Sequence, residues 1–301
     1  MTPRTAPAAG RQGPGPMPSA LVKALDLAVA RRAGSVLPGE RPAPGVGDGT
    51  ELAQLRPYPP GDDVRRLDPA ATARTGVPHV RLQVPERQLT TWLVLDVSAS
   101  MAFGTADRLK CDVAEGVAML VARLATRRGG RVAIVTCGAI PERRLRPRGG
   151  RTALAAVRRV LAEGVATDGH ADEGALTRAL GRTARAASQT GLVVVVSDFR
   201  GPRSWRRDMA ALGARHSLLA VEVRDPREGA LPAAGNLALV DPESGRRLTV
   251  DSSDGRLRAR YERAERQRRD AVVADLRRSG AEHVALTTAG DWLRELGRTL
   301  R

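Results

Sequence analysis

The chain has 301 residues, a formal net charge of +16 and a hydrophobic share of 42%, with only three Trp, two Tyr and two Phe. That length is ample for a packed core, whereas so few rings exclude a base-stacking platform for single strands and leave Ala, Val and Leu to fill the interior. Two cysteines, Cys111 and Cys137, exclude a disulfide scaffold and provide no Cys-x-x-Cys pair for zinc, so both read as small buried hydrophobes.

No apolar run approaches the roughly 18 residues needed to span a bilayer, and no signal-peptide core follows Arg4, so no membrane span and a cytoplasmic location are expected. Of the 49 basic residues two are Lys, Lys23 and Lys110, and the rest are Arg. Ile and Asn are equally scarce, the pattern of a GC-rich genome, so the charge is only discounted evidence about partners.

Residues 1–18 are rich in Pro, Gly and Ala without a period and read as a disordered tail. Ser19 to Arg32 suits an amphipathic helix with Leu21, Leu25 and Ala28 on one face. Gly34 to Pro60 is expected to be an irregular crossing segment, and residues 19–87 a helix and a motif-bearing segment packed on the main domain, 88–301. After residue 80 short apolar runs alternate with helical patterns, which predicts an α/β fold with a mostly parallel sheet and helices on both faces. Strands are predicted at Thr90 to Leu95, Arg131 to Thr136, Leu192 to Val196, His216 to Val223 and His283 to Thr287. Helices are predicted at Asp107 to Thr126 with Asp107 as N-cap, Thr152 to Glu163, Asp172 to Ser188, Gly255 to Arg278 and Asp291 to Leu300. Leu237 to Val250, around Asp241-Pro242-Glu243-Ser244-Gly245, reads as a late hairpin.

Two motifs carry chemistry. The strand Trp92 to Leu95 runs into Asp96-Val97-Ser98-Ala99-Ser100, where a carboxylate and two hydroxyls can converge on one point. One carboxylate with neutral oxygens suits a hard ion that keeps waters, Mg²⁺ rather than a caged Ca²⁺, while the same spacing also suits a polar turn with serine caps. A second strand ends in Ser197-Asp198-Phe199. Two such acids on adjacent strands would face each other beyond the strand ends, or Asp198 would cap a helix.

These residues resemble the von Willebrand factor A-like domains. That resemblance implies an open, six-stranded, mostly parallel sheet of Rossmann-like topology and a metal-ion-dependent adhesion site. Carried over, it makes Asp96, Ser98, Ser100 and Asp198 ligands of Mg²⁺ or Mn²⁺, with Thr167 the nearest candidate for the family's loop Thr. Asp168, Asp172 or Glu173 are alternatives, and a degenerate site is the third outcome.

The second motif is Arg56-Pro57-Tyr58-Pro59-Pro60-Gly61-Asp62-Asp63-Val64-Arg65-Arg66-Leu67-Asp68, continuing to Thr72-Ala73-Arg74. Its plain reading is a structural ion-pair network around a rigid turn. The arrangement closely resembles the bacterial family named domain of unknown function 58, which carries an Arg-x-Tyr-x-x-Gly-Asp-Asp-x-Arg pattern ahead of an A-type domain. The motif residues carried over are Arg56, Tyr58, Gly61, Asp62, Asp63, Arg65, Asp68 and Arg74, and Pro69 departs from the family's Trp. The resemblance implies a non-enzymatic adaptor that works with a MoxR-type AAA+ ATPase and binds protein through an acidic residue of the partner.

There is no phosphate-binding Gly-x-x-x-x-Gly-Lys-Ser/Thr loop and no Gly-x-Ser-x-Gly elbow, and His79, His170, His216 and His283 show no zinc or triad spacing. A phosphatase using Asp96 would want an acid where Ser98 stands. The rival reading is a nucleic-acid binder tracking phosphates with Arg143, Arg144, Arg146, Arg148 and Arg151, against a plain solvated Arg-rich surface; nucleic acid ranks below protein as the expected partner.

Overall fold

A computed structural model describes residues 12–20, 51–60, 62–84, 89–127, 129–138, 141–166 and 174–299. The chain divides into two compact units, Pro38–Gln88 and the remainder. In the smaller unit Glu51–Pro57 (β1) and His79–Val84 (β2) pair antiparallel. Between them Pro69–Thr75 forms a short helix, α1, and Asp68 caps it by accepting the Ala71 N–H at 2.8 Å. Pro69 is its first residue, where the missing N–H leaves nothing unsatisfied. The irregular segment expected through Pro60 is corrected by β1: its order comes from pairing with β2 more than twenty residues away, which local composition does not report. Residues 34–50 lie outside the described residues.

The larger unit is built on Thr90–Asp96 (β3), Arg131–Cys137 (β4), Arg144–Gly149 (β5), Leu192–Ser197 (β6), Ser217–Arg224 (β7) and Glu282–Thr287 (β10). A separate hairpin is formed by Asn236–Val240 (β8) and Arg247–Asp251 (β9). The sheet order is β10-β7-β6-β3-β4-β5, parallel throughout except for β5, which runs antiparallel to β4. From β3 the chain steps outward to β4 and β5, then returns to the other side of β3 for β6 and β7. The strand order therefore reverses between β3 and β6, and the crevice beyond their carboxyl ends is the natural ligand position.

The helices are Lys110–Arg127 (α2), Gly150–Ala162 (α3), Ala175–Ala186 (α4), Arg206–Gly213 (α5), Pro226–Gly229 (α6), Gly255–Arg278 (α7) and Trp292–Thr299 (α8). Alternation along β3 builds two cores. Leu93 and Leu95 pack with Val117 and Leu120 of α2, Val157 of α3 and Trp292 of α8. Trp92 and Val94 pack with Leu180 of α4, Met209 of α5 and Leu276 of α7. Central strands buried on both faces explain the continuous Val and Leu runs that made them legible.

Three expectations shift. Strand β5, Arg-Leu-Arg-Pro-Arg-Gly, escapes an apolar-run criterion because it is an edge strand, with Arg144, Arg146 and Arg148 exposed; Pro147 is tolerated at a register shift against β4. Helix α2 starts at Lys110, and Asp107 instead accepts the Gly290 N–H at 2.6 Å, while Asp112 takes the Leu109 N–H at 3.0 Å. Within the expected disordered tail, Pro14 O accepts the Trp292 Nε1–H at 2.7 Å and Arg108 Nη1 at 2.9 Å, and Met17 packs on the core. A proline-rich segment has less backbone freedom to lose than an average one, so a few anchors hold it. Residues 1–11 and the expected helix beyond Ala20 lie outside the described residues. Among the described residues no helix is long and apolar enough to cross a membrane.

Trp292→Phe keeps a ring in the core but removes the donor to Pro14. It should cost about 1–2 kcal/mol in denaturant unfolding and speed hydrogen exchange across residues 12–20; unchanged exchange there would show that Trp292 is not the anchor.

Candidate functional site

Strands β3 and β6 are in register with Leu95 opposite Val196, so Asp96 and the Ser197-Asp198 pair emerge side by side at the switch point. Asp96 Oδ1 accepts the Ser98 N–H at 3.0 Å, and its Oδ2 accepts the Ser197 hydroxyl at 2.6 Å. Ser98 precedes a 3-10 turn at Ala99–Ala102, and its hydroxyl lies 3.1 Å from that of Ser100. The loop is held from the β4 side, where Val97 N–H donates to Cys137 O at 2.8 Å and Gly138 adopts φ +90°. A Cβ on Gly138 would stand 2.7 Å from the Ser98 nitrogen, so only glycine lets the two loops approach this closely. Desolvation first, and the charge of Asp198 second, push the Asp96 carboxyl up to about 6.

Asp198 has a different environment. Its Oδ2 accepts the Lys110 ammonium at 2.6 Å, and the same ammonium reaches Glu228 Oε1 at 2.7 Å. The Lys110 side chain is 0% exposed. Its Nζ also lies 5.8 Å from the centroid of the Phe103 ring, within cation–π range. Burial alone would push Lys110 down, but the Asp198 and Glu228 charges outweigh it and the group sits above its ordinary value, firmly charged. Burial likewise pushes Asp198 up, and Lys110 more than reverses that, leaving it below the usual carboxylate range. Behind this pair Arg200 links outward, its Nη1 3.7 Å from Glu228 and 3.0 Å from Glu265 of α7. Asp198 caps no helix: its Oδ1 accepts the Arg200 N–H at 3.1 Å. Phe199, at φ +49°, turns its ring into the core against Trp205, with centroids 5.4 Å apart. That left-handed conformation, uncommon outside glycine, drives the ring inward between two residues that engage the ion network.

These side chains do not fit a divalent ion shared by Asp96 and Asp198. Asp198 already binds an ammonium, which it shares with Glu228. An Mg²⁺ or Mn²⁺ about 4 Å from that ammonium would be repelled by about 8 kcal/mol at an effective dielectric of 20. Asp96, Ser98, Ser100 and Asp198 are brought together, then, but not as a set of open metal ligands. Among the described residues no group of three or more His, Cys, Asp or Glu is placed to hold a metal. Thr167, Asp168, Asp172 and Glu173 lie outside the described residues, which reach Ala166, whose N–H donates to Val97 O at 2.7 Å.

One further group reaches this apex. Glu243, in the turn between β8 and β9, accepts the Ser100 N–H on its Oε1 at 2.9 Å. The turn presents it firmly: Gly245 N–H donates to Asp241 O at 2.8 Å, and Asp241 Oδ1 accepts the Glu243 N–H at 3.1 Å. Sequence reasoning placed Glu243 in a turn and Lys110 in a helix, and assigned neither to the site. The available signal for Lys110 was its type, a rare Lys in a chain that otherwise uses Arg; for Glu243, 143 residues from its partner, no local signal exists.

In the smaller unit the motif residues act mainly on their own backbone. Arg56 pairs with Asp62 at 2.6 Å, Asp63 accepts the Arg65 N–H at 3.0 Å, and Tyr58 N–H donates to Pro78 O at 2.8 Å. Arg65 and Arg74 are exposed, Asp68 is the buried cap of α1, and Gly61 lies outside the described residues.

A six-stranded sheet whose order reverses beside an Asp-x-Ser-x-Ser loop defines an A-type domain of the von Willebrand factor class. Residues 54–271 match the family described as "Protein of unknown function DUF58", and the chain belongs to that family. Uncharacterized proteins of Mycobacterium tuberculosis and Mycobacterium bovis are each 38% identical over 288 residues, covering 94% of this chain and 89% of theirs. Among solved structures, the hypothetical protein BatB of Bacteroides thetaiotaomicron aligns at 13% identity over 70% of this chain and 97% of its own, with a TM-score of 0.42. The Rpn10 VWA domain aligns at 9% identity over 69% and 93%, with a TM-score of 0.37.

Two substitutions test this geometry by denaturant unfolding. Gly138→Ala should cost about 1–3 kcal/mol, through strain at a positive φ and the clash with Ser98. Lys110→Met leaves the buried Asp198 without its cation and should cost about 3–5 kcal/mol; a neutral outcome would mean the ion pair is not formed.

Proposed function

We propose that this chain is a non-enzymatic protein-interaction adaptor whose apex, around Asp96, Ser98 and Ser100, receives an acidic side chain of its partner. The observation that carries this reading is Glu243: the chain's own carboxylate accepts the Ser100 N–H, an instance of the ligand chemistry proposed for the apex. A backbone donor at the mouth of a switch-point crevice favours an anion. A MoxR-type AAA+ ATPase is the proposed partner, on the family resemblance of the Arg56 to Arg74 motif ahead of the A-type domain. The exposed arginines of β5 support the rival phosphate-tracking reading.

The test uses the full chain as bait in lysate of its own cells, with mass spectrometry to identify what is retained. The expected prey is a MoxR-type ATPase, and its recovery should rise several-fold with Glu243→Ala, which clears the Ser100 N–H. Recovery of that ATPase unaffected by Glu243→Ala would remove the apex from the interaction. Ribosomal or nucleoid proteins lost steeply with salt would instead establish the basic-surface reading.

A further inference from the structure

Of the acids that the family resemblance assigns to a metal, Asp198 holds a side-chain ammonium. We infer that Lys110 is the resident cation of this apex, a tethered ammonium that stands in for the divalent ion and makes the site independent of metal.

Three observations converge on this assignment. First, the ammonium is enclosed as a bound ion would be: Asp198 Oδ2 at 2.6 Å, Glu228 Oε1 at 2.7 Å, the Phe103 ring over it, and no exposure. Second, the acids come from different elements that converge on one point, Asp198 after β6 and Glu228 from α6. Glu228 is itself held, because its other oxygen accepts the Asp225 N–H at 3.0 Å within the capping box of α6. Asp225 is anchored in turn by Thr105 and Thr288, whose hydroxyls donate at 2.5 and 2.6 Å, so the second acid cannot easily swing away. Third, this position holds one of two lysines in a chain whose other basic residues are all arginine. Codon bias favours Arg everywhere, yet a planar guanidinium fork is too broad for a pocket that closes on a point charge, whereas a compact ammonium on a four-carbon stem reaches it.

The electrostatic balance explains what the substitution achieves. A divalent ion beside Asp96 and Asp198 would be lost to chelators and shared with solvent. A lysine on α2 supplies one charge permanently, and Asp96 is left to organise the Ser98 and Ser197 loops through its own hydrogen bonds. The inference touches the proposed function only in one consequence: capture of a partner at the apex should persist in EDTA. Its own test involves no partner, so the two can fail separately.

The experiment is Mn²⁺ titration of the full-length protein, followed by the paramagnetic resonance signal of free Mn²⁺ and by thermal unfolding. The wild type should take up no Mn²⁺ in the millimolar range that Asp198→Asn abolishes, and its melting temperature should not move. Lys110→Ala empties the cation position between two carboxylates and should gain one Mn²⁺ site, lost again in Lys110→Ala/Asp198→Asn. Mn²⁺ should raise its melting temperature by about 5 °C at saturating metal. If Lys110→Ala does not fold, Lys110→Gln, which keeps the stem and a donor, takes its place in the same titration. An Asp198-dependent Mn²⁺ site in the wild type overturns the inference, with or without a folded variant. So does a folded, metal-indifferent Lys110 variant. Lys110→Arg adds a check on shape: as stable as the wild type, it would contradict the point-charge argument.

Discussion

The apex of this protein depends on one buried charge. An ammonium taken fully out of water is tolerated only because two carboxylates meet it at hydrogen-bond distance, and those carboxylates are tolerated only because of the ammonium. Each group belongs to a different element: Lys110 opens α2, Asp198 follows β6, and Glu228 lies in α6 after β7. The pairing therefore ties together the carboxyl-terminal edge of the sheet around its switch point. The network continues through Arg200 and Glu265 to α7.

Around it the loops are arranged by backbone constraints. Asp96 organises Ser98 and Ser197 through its two oxygens, Gly138 allows β4 to close against the Ser98 loop, and Phe199 takes a left-handed conformation between Asp198 and Arg200. These devices leave the Ser100 N–H facing the hairpin, where Glu243 takes it. The apex is thus assembled with its polar groups internally answered, Asp198 by a lysine and the Ser100 donor by a glutamate.

The legibility of these features follows the range of the interactions that make them. The central strands β3, β4, β6 and β7 were evident because burial on both faces demands unbroken apolar runs, and α7 was readable to its end residues from its long Arg/Glu-rich run. Strand β1 and the edge strand β5 were not, since each is specified by pairing with a distant segment and has little apolar pattern of its own. The stretch Gln12–Pro18 was misread for a related reason: its composition is that of a tail, and what holds it, the Trp292 indole, Arg108, Asp112 and the packing of Met17, comes from distant segments.

The motif residues divide in the same way. Asp96, Ser98, Ser100 and Asp198 sit at strand ends that local pattern identifies, and their meeting followed once β3 and β6 proved to be neighbours. Their chemistry was not, because the groups that decide it, Lys110 at 88 residues from Asp198 and Glu243 at 143 residues from Ser100, belong to segments whose own patterns announce only a helix start and a turn. Sequence by itself determined the α/β class, the alternating core and the acids at the switch point, because hydrophobic periodicity and turn chemistry are local. Only the tertiary structure decided what meets them, an ammonium at Asp198 and the Ser98 and Ser197 donors at Asp96, because a charge is sensed through space and not along the chain.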